Sequence, residues 1–146
     1  MEKQKFSELA ERERERYNEG LERKGYENFF NHCRYFYIRR RYSLIREMMQ
    51  YAQGKKVLEI GSTAWRGWLE NNSILPSSLT CINISEAELQ AGIDSAASTN
   101  NSPDFILMDA HDLQFEDETF DFVYGDAILH HLNMVPALDE IFRVLK

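Results

Sequence analysis

The stretch Lys56 to Leu69, KVLEIGSTAWRGWL, constrains the fold more than any other part of the chain. Val57, Leu58 and Ile60 form a short apolar run with the carboxylate of Glu59 near its end. Gly61 and two small polar residues follow, and then the apolar spacing Trp65, Trp68, Leu69. That order predicts a strand, a tight turn and a helix. A helix that leaves a parallel strand in this way brings its free N–H groups and positive end to a crevice at the strand's carboxyl edge, where α/β sheets bind ligands. The turn also restricts the ligand. A dinucleotide fingerprint needs glycine where Thr63 and Arg66 stand, and in a phosphate loop the second glycine would be followed by Lys and Ser or Thr, whereas Gly67 comes one residue late and precedes Trp68. A nucleoside without phosphates is compatible with the turn, as is an ordinary strand-to-helix connection with no ligand.

Beyond Gly54, short apolar runs alternate with helical segments. Strands are predicted at Val57–Ile60, Leu79–Ile84, Asp104–Met108 and Phe120–Tyr124. Ser85 reads as an N-cap, with Glu88 closing a capping box and Ile84 stapled to Leu89, which starts a helix running to about Ser98. Residues 98–103, STNNSP, read as a polar turn. A last helix carries Pro136 near its start and an expected buried stripe of Leu138, Ile141, Phe142 and Leu145. The alternation implies right-handed crossovers and a Rossmann-like parallel sheet of the α/β class, with about four strands. Glu59 and Gly61, then Asn83, then Asp109 stand at the carboxyl ends of the first three strands, where polar groups can converge on one crevice.

Residues 1–54 read as an N-terminal helical extension and residues 55–146 as the sheet-forming unit. From Phe6 to about Asn18 the Glu/Arg alternation predicts a solvated helix supported by ion pairs three and four residues apart, with break points at Gly20 and Gly25. Tyr26 to Gln53 has apolar residues at helical spacing. Within it, Arg34 to Arg46 interleaves basic and aromatic residues. An amphipathic helix with its arginines outward accounts for that pattern, and a patch for anionic substrates or nucleic acid is the alternative. Charge is unevenly divided. Residues 1–55 carry 13 Lys and Arg against 9 Asp and Glu, whereas residues 56–146 carry 4 against 15. The parts should attract one another, and an acidic body disfavours extended nucleic-acid contact. Cys33 and Cys81 lack metal-ligand spacing, so no metal site is expected. The charged N-terminus is unlike a secretory signal and no run reaches membrane-spanning length, which predicts a cytoplasmic protein without membrane contact.

Four segments in order, VLEIGSTAWRGWL, CINISEAELQAG, DFILMDAHDLQFEDETFDFVYGDAILHHL and LDEIFRVLK, resemble the N-terminal half of a class I S-adenosylmethionine-dependent methyltransferase of the small-molecule type, over residues 55–146. The resemblance implies S-adenosyl-L-methionine as cofactor and methyl transfer to a small-molecule acceptor by in-line displacement. Glu59, Gly61 and Ser62 would flank the methionine part, and Asn83 with Ile84 the ribose. Asp109 would accept from the adenine amino group while the backbone of Ala110 meets the ring. Asp126 would lie near the transferred methyl and the acceptor, and Asp126, His130 and His131 are the candidate bases. The physical needs agree, since adenine offers a donor amino group and a sulfonium tolerates carboxylates but not Arg or Lys.

The sequence departs from the family at Thr63 and Trp65, where glycine is usual, and at Asn83, where the family usually has an acid, although some small-molecule methyltransferases that resemble this stretch have a non-acidic residue there. The family pattern continues past RVLK into a Pro-Gly-Gly turn and further strands, so residues up to Lys146 imply a sheet whose fourth strand is an exposed edge. A degenerate binding or scaffold module, self-associating through that edge as a homo-oligomer, is the alternative to an enzyme. The N-terminal helices are expected to form a lid over the crevice, with Tyr37 or Tyr42 facing it.

Overall fold

Strands that are apolar along their whole length need cover on both faces, and this requirement organises the molecule. The computed structural model describes residues 7–22, 50–61, 75–96, 103–125 and 128–146. Helix α1 spans Glu8–Glu22, strand β1 Lys56–Ile60, strand β2 Ser78–Asn83 and helix α2 Glu86–Ala96. Strands β3, Asp104–Leu107, and β4, Phe122–Tyr124, follow, then a 3-10 turn at Leu129–His131 and helix α3, Met134–Val144. The four strands form one sheet in the order β3-β2-β1-β4, every pair parallel. In β1 every residue from Val57 to Ile60 is buried.

Period-two alternation sends the two sides of β1 into different cores. Val57 joins Leu79, Cys81, Tyr124 and Ala96 of α2 in one apolar cluster. Leu58 and Ile60 join Ile82, Met108, Phe120 and Val144 of α3 in the other. The sheet is therefore sandwiched between α2 and α3. Gly92 permits the close approach on the α2 side, since a Cβ there would lie 2.6 Å from the ring of Phe105.

The expected α/β class and parallel sheet are present, with strand limits shifted by one or two residues. The fourth strand begins at Phe122 because the backbone of Phe120 pairs with the end of the chain rather than with β1, while its side chain stays in the core. Its N–H donates to Val144 O at 2.9 Å, and its carbonyl accepts from Lys146 N at 3.0 Å. A parallel bridge pairs Phe120 with Leu145, so the outer side of the edge is covered at its start. The stripe expected on α3 is displaced. Ala137 and Val144 are the buried residues, Ile141 packs beside them, and Phe142 is 71% exposed. Residues 137, 141 and 144 make one helical face, and 138, 142 and 145 the next face round; the small Ala137 lets the first of these seat on the sheet.

Helix α1 also differs from expectation. Ser7 caps it, its Oγ accepting from Ala10 N at 3.2 Å, and the helix continues through Gly20 to Glu22. A glycine inside a helix costs about 1 kcal/mol, which docking can offset. The helix is not merely solvated: Ala10 is buried, and polar side chains on two faces bond to the sheet unit. Much of the segment Tyr26 to Gln53, with Cys33, Arg34 to Arg46, Tyr37 and Tyr42, lies outside the described residues. So do the turn after Ala96 and the predicted helix after Gly61.

Candidate functional site at the strand ends

With strand order β3-β2-β1-β4, successive connections run to opposite sides of β1, and the sheet has its switch point between β1 and β4. Crevices open outside the carboxyl ends at such points. Gly61, just past β1, has φ of 63° and donates its N–H to Ile82 O at 2.8 Å. A Cβ on Gly61 would lie 2.5 Å from Ile128 Cδ1, and one on Gly125 would lie 2.7 Å from Ile128 Cγ2. Both glycines let Ile128 close down on the ends of β1 and β4.

Asn83 ends β2, and its carbonyl accepts from Met108 N at 3.0 Å, tying the tips of β2 and β3 together. Its side-chain Oδ1 accepts from Ser85 N at 3.0 Å. Ser85 Oγ in turn accepts from Glu88 N at 3.2 Å, the N-cap foreseen in the sequence. With Oδ1 engaged, the donors of Asn83 Nδ2 are what this side chain can best offer a ribose hydroxyl. Ile84 follows, half-buried.

Asp109 lies two residues past β3 and is 4% exposed. Its Oδ1 receives the backbone N–H of His111 at 3.0 Å and contacts His111 Nδ1 at 2.6 Å. Its Oδ2 receives Ser7 N at the long distance of 3.4 Å. Ala110, next in the chain, is buried. The following loop is stapled to α3. Arg143 donates to the carbonyls of Leu113 and Phe115 at 2.7 Å each and pairs with Glu140 and Asp117. Arg143 holds the Glu140 carboxyl below the usual carboxylate range.

Glu59 is wholly buried on the α2 side of the sheet, level with Cys81 and Tyr124 on the neighbouring strands. The Cys81 thiol lies 3.7 Å from Glu59 Oε2. Burial, reinforced by that carboxylate, pushes the thiol far above its ordinary range, so Cys81 is no nucleophile at neutral pH. Ser62 and Asp126, both expected in the site, lie outside the described residues, as do Thr63 and Trp65.

Helix α1 bridges this crevice. On one face Arg14 pairs with Glu86 at the start of α2 and with Glu11 at 3.1 Å, and Asn18 bonds Ser85 and Glu86. On the next face round, Tyr17 Oη lies 2.9 Å from His131 Nε2, and Glu13 Oε2 lies 2.9 Å from His131 Nδ1. Partial burial, followed by the neighbouring His130, lowers the pKa of His131, while Glu13 opposes this. The imidazole is therefore neutral near pH 7 and able to accept a proton. His130 is exposed, its ring centroid 3.8 Å from that of His131. The tyrosine that α1 brings to the crevice is Tyr17, which sequence reasoning did not single out.

The expected attraction between a basic extension and an acidic body does not explain this docking, because α1 is itself acidic. Arg14 instead bridges Glu11 and Glu86. Its guanidinium holds the Glu86 carboxyl down to about 2 from an ordinary 4.5. Since the folded pKa is depressed, this contribution is full above pH 4.5 and fades as pH falls toward about 2. Fluorescence of Tyr17 should accordingly report α1 releasing within that window. In Arg14→Ala the acid transition should start at higher pH; an unchanged transition would remove the ion pair from the account.

These groups suit an adenosyl ligand with a positive sulfur. Asp109 supplies an acceptor for an amino group, Asn83 a donor for a hydroxyl, and Gly61 a turn without side chain. Among the described residues at the strand ends, 60–61, 83–85, 108–112 and 124–125, there is no Lys or Arg to repel a sulfonium. No group of His, Cys, Asp and Glu among the described residues could hold a metal ion, and no described helix is long and apolar enough to cross a membrane.

Comparison with known proteins agrees with this chemistry. Residues 58–146 match the family model described as a methyltransferase domain. Cycloartenol-C-24-methyltransferase 1 of Oryza sativa subsp. japonica is 32% identical over 96 residues, which is 64% of this chain and 28% of that protein. Among solved structures, PH0226 from Pyrococcus horikoshii OT3 is 32% identical with a TM-score of 0.59, covering 75% of this chain and 53% of that one. The [4+2]-cyclase SpnF is 26% identical with a TM-score of 0.61, covering 73% and 41%. The chain thus spans about a quarter to a half of the length of these relatives. From the matched residues and the Rossmann-like sheet together, the chain belongs to the methyltransferase domain family, whose cofactor is S-adenosylmethionine.

Proposed function

We propose that this chain carries the cofactor-binding half of an enzyme that transfers a methyl group from S-adenosylmethionine to a small-molecule acceptor by in-line displacement. The observation that carries the reading is the pairing of an acceptor, Asp109, and a donor, Asn83, on adjacent strand tips, beside the glycine turn of β1. Adjacent strands lie about 4.8 Å apart, so the tips of β3 and β1 are about 10 Å apart, and one elongated nucleoside can meet all three. S-adenosylmethionine supplies a methyl carbon activated on a positive sulfur.

The chain's own residues bind and orient. Asp109 and the backbone of Ala110 take the adenine, Asn83 and Ile84 the ribose, and Gly61 with Ser62 the methionine part, beside Glu59. Asp126 is assigned to the methyl and acceptor end. Where the acceptor must lose a proton, His131 suits the role of base better than the exposed His130, since it is part-buried, with Glu13 and Tyr17 each 2.9 Å from one of its ring nitrogens to set its orientation. Helix α1 acts as a lid, which excludes water and favours a small acceptor over a macromolecular one. The name of the rice relative, a sterol methyltransferase, supports a small acceptor.

Calorimetry tests the reading. S-adenosylmethionine and S-adenosylhomocysteine should bind at micromolar concentration and ATP should not. Asn83→Asp, which gives the ribose a charged acceptor, should tighten binding several-fold, on the order of 1 kcal/mol. Absence of binding, together with dimerisation in solution through the β4 edge, would favour a scaffold module instead.

A further inference from the structure

His111 is assigned no role by the family pattern, yet its surroundings are specific. Its side chain is 11% exposed and touches two partners through its two ring nitrogens. Nε2 lies 2.9 Å from the backbone N of Asn133, the residue that precedes α3. A backbone N–H can only donate, so Nε2 must be unprotonated and the ring proton must sit on Nδ1. Nδ1 is 2.6 Å from Asp109 Oδ1, and the N–H of His111 reaches the same oxygen at 3.0 Å. Oδ1 thus has two donors, one for each lone pair. Among the described residues, Oδ2 has only the long contact from Ser7.

We infer that His111 is a positioning residue that makes the strand-tip pocket selective for a 6-amino purine. By occupying Oδ1 from two directions, it fixes the plane of the Asp109 carboxylate and leaves Oδ2 as the acceptor facing the crevice. Its tautomer is set by Asn133, so the orientation is relayed from the start of α3 to the tip of β3. An amino group on the purine meets a lone pair at Oδ2, whereas a 6-oxo purine meets it oxygen to oxygen. A site built to pair with one such group rejects an analogue that cannot pair. The inference rests on the adenosyl reading above and adds the residue that enforces it.

The test compares S-adenosylhomocysteine with its deaminated counterpart, S-inosylhomocysteine, by calorimetry on the full chain. The wild type should prefer the adenosyl compound by at least tenfold. His111→Ala should lose most of that preference, and His111→Asn, which keeps an N–H donor toward Oδ1, should recover part of it. Equal preference in wild type and His111→Ala would overturn the role of His111 while leaving the adenosyl site standing. Failure of the wild type to bind either compound would overturn the adenosyl reading, and this inference with it. A measurement without variants guards against misfolding: ring nitrogen chemical shifts of His111 in the wild type should report Nδ1–H with bare Nε2. The opposite tautomer would exclude the proposed relay.

Discussion

Replacing Asp109 by Asn should weaken S-adenosylhomocysteine binding by between about 10-fold and 100-fold, or about 1.4–2.8 kcal/mol, without unfolding the chain. The change is nearly isosteric, and its effect follows from the donors already in place. His111 presents both its backbone N–H and its Nδ1 to the Oδ1 position. The amide oxygen of Asn must therefore occupy that position, which puts the amide NH2 where Oδ2 was. A donor then faces the adenine amino group, itself a donor, in a place 4% exposed where water cannot intervene freely. Calorimetry gives the affinity, and a thermal melt establishes that the fold persists. Unchanged affinity in a folded Asp109→Asn protein would mean that the adenine does not sit on this carboxylate.

The second large effect concerns the β1 turn. Gly61→Ala should destabilise the chain by about 2–5 kcal/mol and abolish cofactor binding at the concentrations that saturate the wild type. Two costs add. At φ of 63° a side chain is strained by about 1–2 kcal/mol. Its Cβ would also fall 2.5 Å and 2.8 Å from Cδ1 and Cγ1 of Ile128, which packs against the buried cluster under α3 and cannot retreat without opening it. Overpacking of this kind costs about 1–3 kcal/mol. Because whole domains hold only about 5–15 kcal/mol, urea titration should register the change plainly. An unaltered midpoint would show that Ile128 is free to move and that the turn is not under this constraint.

Local chemistry was legible in the sequence and long-range chemistry was not. The strands could be located because continuous apolar runs bounded by Gly, Asn and Asp have few alternatives, and the Ser85 cap because its partners are three residues away. The tips Gly61, Asn83 and Asp109 were placed by counting from those strands. Phe142 was expected in the core because hydrophobicity alone does not say which of two adjacent helical faces meets the sheet; Ala137, too small to stand out in a pattern, decides it. The contacts of α1 were out of reach for another reason. Ser7 meets Asp109 across 102 positions and Tyr17 meets His131 across 114, and no local pattern carries such pairings. His111 does not stand out because a lone histidine four residues past a strand has no periodic signature. Only the convergence of Asp109 and Asn133 on its two nitrogens gives it a role.

Everything proposed for this chain depends on adjacent strand tips serving one nucleoside. The most direct measurement is a titration of isotopically labelled protein with S-adenosylhomocysteine, following backbone amide resonances. Gly61, Asn83, Asp109 and Ala110 should shift together along a single saturation curve, while amides at the opposite, amino end of the sheet, such as Lys56 and Ser78, should stay still. Shifts that saturate at different concentrations, or that cluster away from the carboxyl ends of β1, β2 and β3, would contradict it.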